Sequence, residues 1–363
     1  MNTTQLLRDL LSAGRIRVGH GDIFRQVPAP LPDHFAFSRI EGMLLGLAVG
    51  DALGNSSEGF PPKFRRERYG EVRNYLLNSY HQDSRGYPSD DTQLAFWTLE
   101  QLLDDGHFEP AKLAKRFAQE QIFGIGATVR QFQFNHGAGQ PWDQCGVRSA
   151  GNGSLMRIAP TLIPHLRNPS PALWADAAVS GMITHNDSMA IASCVAFVAI
   201  LWDLLGMDRP PKPEWWLDRM VDVLKDLECD ESYEPRSPDL KDFKGPLWRF
   251  LEQEIGPAWE KGVPIVDASG RWFSAAYLLE TVPCVIYILM RHGDDPEEAI
   301  VRAVNDTWDN DTIGAIVGAA VGALHGREAI PERWVRGLSG RTREDDDGRV
   351  FELIRRAGEA FHP

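Results

Sequence analysis

The sequence predicts an all-α fold. Apolar residues recur at helical spacing along most of the chain, and the segments so marked open at Pro, Asp, Ser or Thr and close near Gly. Alternating strand patterns bounded by Asn-Gly or Asp-Gly turns are absent. In order, the helices expected are 39–53, 92–104, 110–123, 171–184, 188–205, 213–227, 247–254, 273–292, 296–304, 312–325 and 348–361. Those beginning at Pro110, Pro171, Pro213 and Pro296 use a residue whose fixed φ suits a first helical turn, where its missing N–H loses nothing.

Two of these helices carry a further signature. Gly42, Gly46, Gly50 and Gly54 recur every four residues, and so do Gly314, Gly318 and Gly322. That step keeps the glycines on one helical stripe, so that another backbone can approach closely. Each interior glycine costs about 0.5–1 kcal/mol relative to alanine, and close packing at the centre of the bundle is the expected compensation. The membrane version of the motif is excluded, because the apolar run 313–324 is too short to span a bilayer.

At the N-terminus, 5–11 (QLLRDLL) is amphipathic and 27–32 (VPAPLP) is a stiff extended run, so residues 1–38 read as an added arm. Residues 39–363 form one all-α domain in this reading. Within it, 207–270, rich in Pro, Trp and charge, is a peripheral irregular insertion with short helices.

Composition narrows the class. With 363 residues the chain can form one large domain, and 43% hydrophobic with 25% charged residues is ordinary for a globular protein. A net charge of -13 with no basic stripe argues against nucleic-acid binding. Cys145, Cys194, Cys229 and Cys284 are widely spaced and read as reduced thiols. No run of about 18 uninterrupted apolar residues appears, and residues 1–14 lack a signal-peptide core, so a cytoplasmic protein with no membrane segment is expected.

The chemistry is concentrated in two acidic clusters, Ser89-Asp90-Asp91-Thr92 and Asp309-Asn310-Asp311-Thr312, each followed at once by an apolar helical run. Asp or Ser in that position is commonly an N-cap. One cap needs one acceptor, however, and each cluster offers three. A set of Asp, Ser and Thr oxygens without His or Cys suits Mg²⁺, Mn²⁺ or Ca²⁺ and is a poor trap for zinc. Four carboxylates sharing one pocket need a cation to offset their repulsion.

Four other elements accompany the clusters. Gly50-Asp51-Ala52-Leu53-Gly54 precedes Glu58, which on its own reads as a solvated surface acid. Ser149-Ala150-Gly151-Asn152-Gly153-Ser154-Leu155-Met156-Arg157 is either a plain turn or a backbone cradle for a phosphate or ribose. His185, in Thr184-His185-Asn186-Asp187, is either a satisfied helix-end histidine or a donor to a ligand phosphate. Asn305-Asp306-Thr307-Trp308 leads into the second cluster.

In this order, from about Arg39 to Gly326, these motifs resemble the ADP-ribosylglycohydrolase family, which includes the enzyme that reactivates ADP-ribosylated dinitrogenase reductase. The resemblance implies an all-α fold with a central cleft holding two Mg²⁺ ions, with Mn²⁺ as an alternative, and cleavage of the bond between ADP-ribose and an acceptor. By matching position, Ser89, Asp90, Asp91, Asp309, Asp311 and Thr312 would ligate metal. Glu58 would sit near the scissile bond, making Glu58, Asp91 and Asp311 the catalytic set. Ser149, Gly151, Asn152, Gly153 and Ser154 would line the diphosphate and ribose, with His185 on the diphosphate–adenosine side. Asp51 would brace the metal shell through hydrogen bonds.

Two positions depart from the family pattern. Thr307-Trp308 stands where many members have Gly-Gly, which bears on cleft width and acceptor. Ser149 stands where some arginine-cleaving members carry an acid, which bears on the bond cleaved. The function so implied is a Mg²⁺-dependent ADP-ribosylhydrolase acting on a modified protein side chain, with arginine favoured. A protein that binds ADP-ribose or a transferase by occlusion, and a hydrolase of serine, nucleic-acid-base or metabolite conjugates, are the alternatives. Some family members resemble immunity proteins against ADP-ribosyltransferase toxins, which gives residues 1–38 a candidate partner.

Overall fold

The computed structural model describes residues 2–229 and 231–362, and among them the regular elements are helices, with isolated bridges and no strand. The first half contains α1 (Thr3–Ser12), α2 (Ser38–Asn55), α3 (Pro62–Tyr69), α4 (Asp90–Asp105), α5 (Pro110–Gln119), α6 (Ala127–Gly137), α7 (Ala172–Met182) and α8 (Ser188–Leu205). The second contains α9 (Pro213–Leu227), α10 (Leu247–Glu260), α11 (Ile265–Trp272), α12 (Leu278–His292), α13 (Pro296–Asp306), α14 (Asn310–His325), α15 (Glu332–Gly337) and α16 (Arg349–Phe361).

The glycine stripes meet each other. A Cβ on Gly46 would lie 2.1 Å from the Gly318 carbonyl oxygen, and one on Gly50 only 2.0 Å from that of Gly314. α2 and α14 therefore run backbone against backbone at the centre of the molecule, and no side chain fits between them. Gly54 continues the contact to the start of α14, where its Cβ would meet the Asp311 Cα at 2.4 Å. α4, α8, α12 and α13 surround this pair.

Several boundaries differ from those expected, for tertiary reasons. The helix from Pro110 stops at Gln119, not 123, because Gln93 captures the chain beyond it. The Gln93 amide accepts from Phe123 N–H (2.8 Å) and donates to the Gln121 carbonyl (3.1 Å). The segment expected as one helix over 273–292 is broken. Phe273 and Ser274 have φ of 75° and 42°, which ends α11 and delays α12 to Leu278. α3, α6 and α15 have no apolar period to reveal them; α3 is Pro-Lys-Phe-Arg-Arg-Glu-Arg-Tyr with only Arg65 buried.

Residues 207–270 are less irregular than expected. α9 and α10 bury Trp216, Met220, Leu224, Phe250, Leu251 and Ile255, and both pack on α12. The N-terminal segment lies on the protein's own helices. Leu7, Leu10, Ile16, Val18, Ile23 and Phe24 are buried. Gly19 N–H donates to the Leu227 carbonyl (2.7 Å), and the indoles of Trp174 and Trp202 donate to the Gln26 and Ala29 carbonyls (2.9 and 2.8 Å). α8 is apolar but interrupted by Ser188, Ser193 and Asp203. It is an 18-residue helix of mean hydropathy 2.1, long and apolar enough to cross a membrane, yet 94% of it is buried within the fold.

Candidate active site

A cleft of about 530 Å³ opens where the N-termini of α4 and α14 meet the end of α2. Glu58, Asp90, Asp91, Ser149, Gly151, Asn152, Gly153, His185, Asp309, Asp311 and Thr312 line it, so both acidic clusters, 218 positions apart at Asp91 and Asp309, face one space. Two of the expected residues stand behind the wall. Ser154 is fully buried and its hydroxyl accepts a weak bond from Cys194 (3.5 Å). Ser89 is the N-cap of α4, its Oγ accepting from Asp91 N–H (3.2 Å) and donating to the Asp91 carboxylate (3.0 Å).

Asp91 and Asp309 are not spent on capping, whereas Asp311 accepts from the first-turn N–H of Thr312 (2.9 Å). At α4 the work is done by Ser89 and by Asp51, reaching across from α2. Asp51 is fully buried and accepts from the N–H groups of Ser89 (2.9 Å) and Thr92 (3.0 Å) and from the Thr92 hydroxyl. Asp91 Oδ1 is left buried with no hydrogen-bond partner. At α14 the N-cap Asp309 makes no capping bond; its carboxylate accepts from the Asn152 amide at 2.6 Å. Asn152 also donates to Thr281 (2.9 Å), so the glycine loop fixes one member of the acid set from α12.

Single carboxylate oxygens of Asp51, Asp91 and Asp311 lie within 4.8 Å of one another, and so do those of Glu58, Asp309 and Asp311. Asp311 belongs to both groups. Burial first, and then mutual repulsion, raises the carboxyl pKa of Asp90, Asp91 and Asp311 well above the usual range; Glu58 rises by desolvation and then the Asp309 and Asp51 charges. Two helix N-termini favour negative charge here but do not satisfy the orphaned Asp91 oxygen. An all-oxygen, mutually repelling and partly unsatisfied set fits a hard divalent cation.

His185 forms the opposite wall. Burial, and then the Arg157 guanidinium, depresses its pKa to about 3, so it is neutral. The Thr184 hydroxyl accepts from Arg157 (3.1 Å) and pairs with His185 Nδ1 (2.8 Å). The other ring nitrogen, Nε2, faces Gly151 and Gly153. A Cβ on Gly153 would meet His185 Cε1 at 2.9 Å, which is why only glycine lets the loop pass the ring. The N–H groups of Gly151 and Asn152 are committed to Ser149 Oγ (3.3 Å) and the Ala276 carbonyl (3.4 Å), so an N–H cradle there is narrower than the loop alone suggests.

Several neighbours carried no sequence signal. Arg236 and Tyr277 line the cleft; Arg236 binds buried Glu280 in a fork at 2.8 and 2.6 Å, 5.5 Å above the Tyr277 ring. Buried Arg65 donates to the carbonyls of Val304 and Thr307 (2.8 Å each) and Phe60 (2.8 Å), closing the end of α13 just before Asp309. Arg236 and Arg65 are lone residues that reach Glu280 and the end of α13 from far away in sequence. Trp308 is half-buried with its ring on Phe273, centroids 5.3 Å apart.

A profile of the ADP-ribosylglycohydrolase family matches residues 32–361. An uncharacterized protein of Archaeoglobus fulgidus is 31% identical over 84% of this chain and 92% of its own. The ADP-ribosyl-[dinitrogen reductase] glycohydrolase of Rhodospirillum rubrum is 24% identical, covering 88% and 97%. The ADP-ribosylarginine hydrolase Tri1 of Pseudomonas putida is 26% identical, covering 83% and 74%. Among solved structures, an ADP-ribosylglycohydrolase-related protein complex superposes with a TM-score of 0.65 at 28% identity, over 90% of this chain and 97% of that one.

Proposed function

The chain belongs to the ADP-ribosylglycohydrolase family, hydrolases of glycosidic bonds to ADP-ribose, and we propose that it is a Mg²⁺-dependent enzyme releasing ADP-ribose from a modified protein arginine. The observation that carries the reading is the convergence of two acid clusters, with Asp91 and Asp309 free of capping bonds, on a cleft whose other wall is a neutral imidazole. Asp90, Asp91, Asp309, Asp311 and Thr312, with Ser89 behind them, would hold Mg²⁺ or Mn²⁺; Asp51 anchors the start of α4 and adds an oxygen to one of the two groups. When bound, the metal supplies positive charge for the ribose hydroxyls and for a water nearby.

The protein's own residues do the rest. His185 Nε2–H, uncharged, donates to the diphosphate side without demanding a counter-ion. Asn152 holds Asp309 in place. Glu58, at the cleft rim with a raised pKa, accepts a proton from the attacking water. The water oxygen bonds to the anomeric carbon, the carbon–nitrogen bond breaks, and the leaving guanidine nitrogen takes up a proton. The surrounding carboxylates favour the positive character that develops at that carbon.

Arginine rests on the likeness to the ADP-ribosylarginine hydrolase of Pseudomonas putida. Protection against a transferase toxin would run through this catalysis, because the apolar face of residues 2–37 is already spent on α7 to α9. A cytoplasmic location suits the same reading. The test is release of free ADP-ribose from arginine-, serine- and DNA-linked substrates with Mg²⁺ and after chelation. Release from arginine that stops on chelation is expected; no release from any conjugate would overturn the proposal.

A further inference from the structure

A second cavity, of about 330 Å³, adjoins the main cleft, and the two share Glu58, Asp90 and Gly124 as a common wall. Its far side is formed by Asn55, Phe123, Arg341 and Glu344. Three carboxylates, Glu58, Asp90 and Glu344, face this space against one cation, Arg341, which is itself paired to Glu344 at 2.9 Å. The Arg341 guanidinium lies 4.6 Å over the Phe123 ring and 5.1 Å over that of Tyr87. The chamber thus already accommodates one guanidinium by the two means proteins use for it, a carboxylate edge and an aromatic face.

The location matters as much as the chemistry. With ADP-ribose in the main cleft, the bond to be broken faces Glu58, and the acceptor must occupy space the nucleotide does not. Glu58 stands on the wall common to both cavities, so the smaller one begins where the acceptor must. With Asp90 given to the metal, Glu58 and Glu344 remain to flank an incoming cation against the single charge of Arg341, and a neutral hydroxyl-bearing side chain gains nothing comparable. A planar guanidinium with several N–H donors can meet two such carboxylates at once.

We propose that this second cavity is the acceptor subsite, that it receives the cationic arginine side chain of the modified protein, and that Glu344 is a specificity-determining residue within it. The proposal rests on the ADP-ribose reading of the main cleft. The loop carrying Glu344 is held independently of that residue, closed on itself by Thr342 N–H to Asp346 (2.6 Å) and tied to α4 by Gln93 donating to the Thr342 carbonyl (2.9 Å). The Glu344 side chain is 57% exposed, so its pair with Arg341 contributes little to folding and the site can be changed without unfolding the protein.

The experiment compares Glu344→Gln and Glu344→Lys with the wild type, full length and with Mg²⁺, on arginine-linked and serine-linked ADP-ribose peptides, alongside calorimetry with free ADP-ribose. For the arginine conjugate, KM should rise tenfold or more in Glu344→Lys and by a smaller factor in Glu344→Gln, with kcat within threefold. KM for any serine conjugate cleaved, and Kd for free ADP-ribose, should stay within twofold. An arginine KM unchanged in Glu344→Lys overturns the subsite while leaving the hydrolase reading intact. An equal rise on both conjugates, or a weakened ADP-ribose Kd, places Glu344 in nucleotide binding and overturns it too. A wild type that neither binds ADP-ribose nor cleaves a conjugate brings down the underlying reading, and the subsite with it.

Discussion

The same residue type does different work at the starts of different helices. Asp51 and Asp187 satisfy helix N-termini, the latter accepting from Met189 and Ala190 (3.0 and 3.4 Å), whereas Asp91 and Asp309 make no capping bond and face the cleft. Replacing Glu58 by Gln keeps its shape but removes the base; kcat should fall about 10²–10⁴-fold while ADP-ribose affinity by calorimetry holds. Full activity in that variant would return Glu58 to the surface. Asn152→Ala removes the donors to both Asp309 and Thr281. It should weaken ADP-ribose binding by about 1–2 kcal/mol and lower metal affinity in the same titration, because Asp309 loses its tether. His185 gives a pH signature. Its folded pKa, about 3, lies below the unfolded 6.5, so its contribution to stability is present above pH 6.5 and is lost as pH falls toward 3. Between pH 7.5 and 5 the wild type should lose about 2 kcal/mol more unfolding free energy than His185→Gln; equal losses in denaturant titrations would show that the ring titrates freely.

Between elements, the decisive contact is α2 against α14, because each carries part of the acid set: Asp51 on one, Asp309 and Asp311 at the start of the other. A side chain on the shared stripe would separate the helices and the carboxylates together. Gly46→Ala would place a methyl 2.1 Å from the Gly318 oxygen, and it should lower stability by about 1–3 kcal/mol and weaken Mn²⁺ binding as well. Gly256, inside α10, has open space where its Cβ would be. Gly256→Ala should therefore have the opposite sign, raising stability by about 0.5–1 kcal/mol with metal affinity unchanged. Parallel melting curves and metal titrations check both. Equal behaviour of the two variants would mean that the stripe is not tightly packed.

For the molecule as a whole, the N-terminal segment behaves as part of the body. Arg17 N–H donates to Asn186 at 3.0 Å and Asn186 returns a bond to the Arg15 carbonyl at 2.8 Å, while Asp226 receives the N–H groups of Asp22 and Ile23 at 3.0 and 2.9 Å. Deleting residues 1–37 exposes the apolar surface of α7 to α9 that Leu7, Leu10, Ile23 and Phe24 help to bury, each worth about 1.5–3 kcal/mol at most. The truncated protein should melt well below the full chain, and the fraction that remains folded should bind ADP-ribose with an affinity within threefold, since the segment does not line the cleft. An unchanged melting temperature would restore the picture of a free arm.

The sequence by itself determined the helical class, most of the long helices, the close approach of two glycine-striped helices and the existence of two acid clusters unlike ordinary caps. These are properties of contiguous residues: periodicity, punctuation and local chemistry are written within a few turns of chain. The tertiary structure decided which acids cap and which stay free, that Arg65 closes α13 and that burial beside Arg157 keeps His185 neutral, and that the start of the chain docks on α7 to α9. It alone revealed the second cavity behind Glu58, whose walls come from Asn55, Phe123 and Glu344. Groups more than two hundred residues apart meet there through packing, and no stretch of sequence short enough to show a pattern contains them together.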